Sequence, residues 1–146
     1  MKFYTSYFYK IRFFKPYQIP FSTAMWNPHF FQYEHIDANG VLNGLRANPL
    51  VPGPICKNDC KGPEKCMSRP QSCLFLKHYR MQLDRLKFNE IIQKFEDIAA
   101  KVKNDLGFEE EPEIILIVYE APTNPCSERR VIQEWFRDNG VECDEL

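Results

Sequence analysis

The apolar positions of this chain change period along its length, and each change marks an element. Ile114-Ile115-Leu116-Ile117-Val118-Tyr119 is apolar at every position. A run without alternation predicts a strand covered on both faces, as in a central, parallel strand. Upstream, Leu76, Tyr79, Leu83 and Leu86 recur at helical spacing between Lys77, Arg80 and Arg85. Phe88-Asn89 breaks that stripe, and Ile91, Ile92, Phe95, Ile98, Ala99 and Val102 form a second one, stopped by Gly107. Val131, Ile132, Trp135 and Phe136 predict a third helix that ends at Gly140, and residues 141–146 suit a last edge strand. At the front, residues 3–9 and 21–26 read as two strands. Lys15-Pro16-Tyr17 and Ile19-Pro20 separate them, and Asn27-Pro28 closes the second. The order predicts an α/β fold: a small mixed or parallel sheet flanked by helices, in one domain over 1–146.

Residues 34–72 interrupt this order. They hold Asn39-Gly40, Asn43-Gly44, Asn48-Pro49, Pro52-Gly53-Pro54 and Gly62-Pro63, which predict a long irregular segment. Such a loop inside a compact domain is functional or is held by something other than a core. Four of the six cysteines, Cys56, Cys60, Cys66 and Cys73, fall in an inserted loop at about 54–74. Their spacings, C-x3-C, C-x5-C and C-x6-C, are wider than the C-x2-C pairs of zinc ribbons. The N-terminus, with Lys10, Arg12 and Lys15 in its aromatic run, is not a signal-peptide core. A cytoplasmic, reducing setting follows as an expectation, in which clustered thiols bind metal more readily than they pair. The expected cofactor is structural zinc on the four thiolates. An iron–sulfur cluster is the other soft-ligand option, and free or disulfide-bonded cysteines are a third. A four-thiolate shell has no open position, so this metal would stabilise rather than catalyse. Lys57, Lys61, Lys65 and Arg69 would offset its negative charge, and His78 could substitute as a ligand.

Charge narrows the partners. Nineteen basic against twenty acidic residues leave a net charge of −1, which removes the electrostatic footprint of a dedicated duplex-DNA binder. No apolar run reaches the roughly 18–20 residues of a membrane span. With 44% hydrophobic and 27% charged residues, disorder is a poor reading.

The connection after the apolar strand carries the candidate chemistry. In open α/β sheets ligands bind beyond the carboxyl ends of the strands. Asn124 suits an N-cap and Pro125 a first helical position. That would place Cys126 in the first turn, where free N–H groups and the dipole favour a thiolate or a bound anion. Cys126 is then the candidate nucleophile or anchor, Glu120 the base, and Arg129 the anion clamp, with Arg130 beside it and Ser6 and Trp26 opposite. Tyr7 is a further pocket candidate. The sixth residue after Cys126 is Ile132 and not Arg, which speaks against a cysteine phosphatase. The blander alternative makes Cys126 a packing residue and both arginines solvated. The aromatic front (Phe3, Tyr4, Tyr7, Phe8, Tyr9, Phe13, Phe14) admits a base-stacking platform. Strand preference favours core instead. The expected ligand is a phosphate-bearing small molecule, a nucleotide or a nucleic-acid component. The alternative is a non-enzymatic interaction module stabilised by the zinc loop.

Residues 117–120, then Cys126-Ser127-Glu128-Arg129, then Glu134-Trp135-Phe136 resemble the C-terminal signature of the domain-of-unknown-function 488 family. In that family a strand ending in Tyr-Glu precedes a Cys-His-Arg-like segment opening a helix. Tyr4-Thr5-Ser6 resembles its opening strand and residues 19–28 its second strand and turn. The likeness is greatest to short phage and bacterial members. Ser127 stands where histidine often follows the cysteine, and the arginine comes one residue later. The resemblance implies an α/β fold and a strand-end site shared by Cys126, Glu120 and Arg129, with no agreed reaction.

Overall fold

A computed structural model describes residues 1–53, 73–124 and 127–146. Five strands form one parallel sheet: β1 (Lys2–Tyr7), β2 (Gln18–Ser22), β5 (Leu45–Arg46), β6 (Glu113–Val118) and β7 (Cys143–Glu145). The order is β5-β2-β6-β1-β7, so the last long strand is inserted between the first two. A separate antiparallel pair joins β3 (His35–Ile36) and β4 (Leu42–Asn43). The helices are α1 (Leu74–Asp84), α2 (Phe88–Leu106) and α3 (Arg129–Asp138).

The continuous apolar run explains the centre. β6 pairs in parallel with β1 on one side and β2 on the other, and residues 114–118 are fully buried. Ile114, Leu116 and Val118 face one core, and Ile115 and Ile117 face the other. On the first face lie the helical stripes: Leu76, Tyr79 and Leu83; Phe88, Ile91, Phe95, Ala99 and Val102; Val131, Ile132, Trp135 and Phe136. Phe3 and Phe21 of the sheet meet Phe95 edge-on at centroid distances of 6.0 and 5.1 Å. The second face carries no α-helix among the described residues. A 3₁₀ turn over Phe8–Phe13, the buried Phe31 and Val41 close it. Helices therefore flank the sheet on one side only.

Several boundaries differ from the sequence reading for local reasons. β1 stops at Tyr7, because Phe8 and Ile11 turn into the second core. β2 runs over Gln18–Ser22 and not over 21–26, with Pro20 inside it. The Thr23 amide donates to Ile117 on the β6 side, while the Ser22 carbonyl accepts from Ala47 on the β5 side. By alternation the missing Pro20 amide faces β5, whose two residues begin only opposite Phe21, so no ladder bond is lost. The segment expected to be irregular supplies β3, β4 and β5. Gly44 joins the last two at φ +101°, with the Tyr33 carbonyl oxygen 2.3 Å from where a Cβ would stand. α2 ends as expected, with Gly107 at φ +75° donating its amide to Lys103.

Candidate functional site at the carboxyl ends of the central strands

β1 leaves through the 3₁₀ turn on the second face, toward β2. Its neighbour β6 leaves through residues 119–128 into α3 on the helical face, toward β7. Adjacent strands whose exits part to opposite faces open a crevice at their carboxyl ends. Glu120, Ser127, Glu128 and Arg129 lie on the β6 exit.

The helix start differs from the sequence reading. The Asn124 amide donates to the Ala121 carbonyl, and the Ser127 amide donates to the Asn124 carbonyl. α3 begins at Arg129, whose amide donates to the Ser127 hydroxyl oxygen at 3.3 Å. Glu128, and not Asn124, is the residue that precedes the helix, and it makes no side-chain cap bond. Pro125 and Cys126 themselves lie outside the described residues, as do Cys56, Cys60 and Cys66. Cys73, the fourth expected metal ligand, is buried just before α1. Among the described residues no group of three or more His, Cys, Asp or Glu is placed to hold a metal.

Arg129 is not splayed into water: it is 4% exposed. Its Nε donates to Glu145 Oε1 at 2.8 Å and its Nη2 to Oε2 at 3.4 Å. Glu145 Oε1 also accepts from Thr5 Oγ1 at 2.7 Å, and Thr5 Oγ1 accepts from Gln133 at 2.7 Å. This network ties the first turns of α3 to the ends of β1 and β7. The guanidinium lies 5.9 Å from the Tyr7 ring centroid. Nη1 is buried with no hydrogen-bond partner among the described residues.

Glu128, the preceding residue, turns the other way. It lines a cavity of about 290 Å³ with Glu120, Tyr119, Trp26, Met25, Ala24, Pro52 and Phe75. Burial, and then the neighbouring charge of Glu120, push the Glu128 carboxyl up to about 8. It therefore keeps its proton at neutral pH and hydrogen-bonds to Glu120. Glu120 Oε2 is buried and unpartnered.

Of the residues expected from sequence, the structure brings Trp26 and Glu120 to one cavity and places Arg129 behind Glu128. Ser6 is fully buried at the end of β1 with its hydroxyl unpartnered. However, strand alternation puts Thr5 and Tyr7 on the α3 face and Ser6 on the opposite one, with Tyr4 and Phe8. Ser6 is thus not opposite Arg129. Arg130 is exposed and lines a different depression of about 310 Å³ with Cys73, Lys77, Arg80 and Glu134. Four buried side-chain atoms lack a partner among the described residues, and three of them belong to Ser6, Glu120 and Arg129. Native structures hold few such groups, and each calls for a ligand, a water or a functional reason.

Sequence reasoning missed Glu128, Phe75 and Tyr119. Glu128 sits in a charged stretch with Arg129 and Arg130 that reads as a solvated helix start. Cys143 is inert: burial, then Asp144 and Glu145, push its thiol up to about 12. No helix among the described residues is long and apolar enough to cross a membrane. No family model, curated protein or solved structure matches this chain.

Proposed function

We propose that this chain binds a nucleotide, or a nucleotide unit of a nucleic acid, across the β6 exit. The observation that carries this reading is the pair Glu128 and Arg129. They are consecutive and buried, one turned to an aromatic cavity and the other keeping one guanidinium N–H without a partner among the described residues.

Each half suits one half of a nucleotide. The cavity has the rings of Trp26, Tyr119 and Phe75, on which a flat base stacks. A protonated Glu128 offers a donor and Glu120 offers acceptors, and base edges present donors and acceptors side by side. The volume is at the small end of ligand pockets, about 300 Å³, which suits a base-sized fragment. Among the described residues no cation lines the cavity. Arg129 Nη1 supplies one outside it, and Glu145 fixes the guanidinium in place. The same pair can give and take a proton at a bound base.

Intrinsic fluorescence tests the reading. Trp26 is 70% exposed at the cavity, whereas Trp135 is 2% exposed in the core. Titration with each of the four nucleoside 5′-monophosphates should change Trp26 emission saturably. A charge-assisted hydrogen bond worth about 1.5–3 kcal/mol predicts a roughly 10–100-fold preference for the best monophosphate over its nucleoside. Arg129→Lys should erase that preference, and Glu120→Gln should weaken both ligands. Absence of a response to every nucleotide would reject the reading.

A further inference from the structure

The aromatic front is only partly core. Phe3, Phe8 and Phe14 are buried, but Tyr9 is 53% and Phe13 65% exposed. These exposed rings are not scattered. Phe13 contacts Tyr9 at 6.1 Å between centroids, and Tyr9 lies nearly parallel to Tyr7 at 6.3 Å. Tyr7 is the ring under Arg129. A second line runs from the exposed Phe30 to Phe8 and on to Tyr119 at the cavity, each step 6.2 Å. Both lines start at the surface and end at the two halves of the site.

Charge selects the occupant. Residues 1–33 hold Lys2, Lys10, Arg12 and Lys15, and the first acidic residue of the chain is Glu34. Of these, Lys10 and Arg12 lie in the 3₁₀ turn that carries Tyr9 and Phe13, whereas Lys2 sits at the far, amino end of β1. Arg12 lies 4.0 Å over the Tyr9 ring and is held there by the Tyr9 carbonyl. Rings interleaved with cations along a track are the apparatus that holds single-stranded nucleic acid, where bases stack and phosphates meet the positive groups. A duplex hides its base faces, so a single strand is the form of nucleic acid that can stack on these rings.

We infer that the ligand is one unit of a single-stranded nucleic acid, with the neighbouring bases stacked along Phe13, Tyr9 and Tyr7 as the track leads to Arg129. This rests on the nucleotide reading above and names its substrate class.

The test is fluorescence anisotropy with a labelled single-stranded octamer of mixed sequence. Its competitors are unlabelled monophosphates and the duplex of the same sequence. The octamer should bind at least tenfold tighter than any monophosphate and compete with it, and the duplex should bind more weakly. The doubly exposed variant Tyr9→Ser/Phe13→Ser should lose about tenfold per ring for the octamer and leave monophosphate affinity within twofold. Phe13→Ser alone should lose part of that and guards against misfolding of the double variant. If monophosphates bind but the octamer gains nothing, or the duplex binds equally, the single-strand inference fails and the nucleotide reading stands. If neither monophosphate nor octamer binds, the nucleotide reading fails and takes the inference with it.

Discussion

Replacing Glu128 by Gln should abolish a pH dependence that the wild-type fold cannot avoid. The Glu128 carboxyl sits near 8 in the folded chain against an ordinary 4.5. Between those values the folded state holds a proton that the unfolded chain has released. Resistance to unfolding therefore falls as pH rises from about 4.5 to 8 and then levels off. The full span corresponds to about 5 kcal/mol, and the coupling of Glu128 to its neighbour makes about 2–5 kcal/mol the expected range. Glutamine is neutral at every pH and can still donate to Glu120. The stability of Glu128→Gln relative to wild type should thus rise by that amount from pH 5 to pH 9. Urea unfolding followed by the buried Trp135 measures it, and the difference cancels every other titrating group. Parallel curves for the two proteins would refute the buried, protonated Glu128.

Other consequences are simpler. Glu145→Gln leaves the Arg129 guanidinium buried without its carboxylate and should cost about 3 kcal/mol in urea unfolding, the low end for a broken buried pair because Glu145 is partly exposed. Gly44→Ala should destabilise far more than Gly107→Ala. Both have positive φ, but only at Gly44 would the Cβ meet backbone, while Gly107 has open space and should lose about 1 kcal/mol. Ile117→Ala in β6 should cost about 2–5 kcal/mol, since it opens a cavity in a fully buried strand. For the cysteine-rich loop we propose bound zinc: elemental analysis should find one zinc per chain, lost in Cys60→Ser, and a metal-free, stably folded protein would exclude the site.

Much of the frame was legible in the sequence because it is written in period. The unbroken run 114–118 pointed to a doubly covered central strand, and the stripe of Ile91, Ile92, Phe95, Ile98, Ala99 and Val102 to α2, which takes in Phe88 at its start and leaves Ile98 exposed. β5 was not legible. Two residues have no period, and Leu45-Arg46 is a strand only because it pairs with Phe21-Ser22, with the Ala47 amide donating to the Ser22 carbonyl. The second core was equally silent, since Phe31 and Val41 reach it from turns. Of the site, the strand-end location and Glu120, Arg129 and Trp26 could be named from topology rules and residue type. Ser6 could not be placed, because a one-residue change of register decides its face. Glu128 could not be singled out, because burial of a charged side chain leaves no trace in local pattern. Tyr9 and Phe13 were assigned to core on strand propensity, and the turn that exposes them begins one residue beyond β1.

The most direct test of the carboxyl-end site is the map of backbone amide shifts when a nucleoside monophosphate is added to the isotope-labelled chain. Binding as argued here perturbs Tyr7, residues 24–26, Tyr119, Glu120 and residues 127–129, with the rest of the sheet unchanged. No perturbation, or one confined to the amino ends of the strands around Lys2, Gln18 and Glu113, would contradict it.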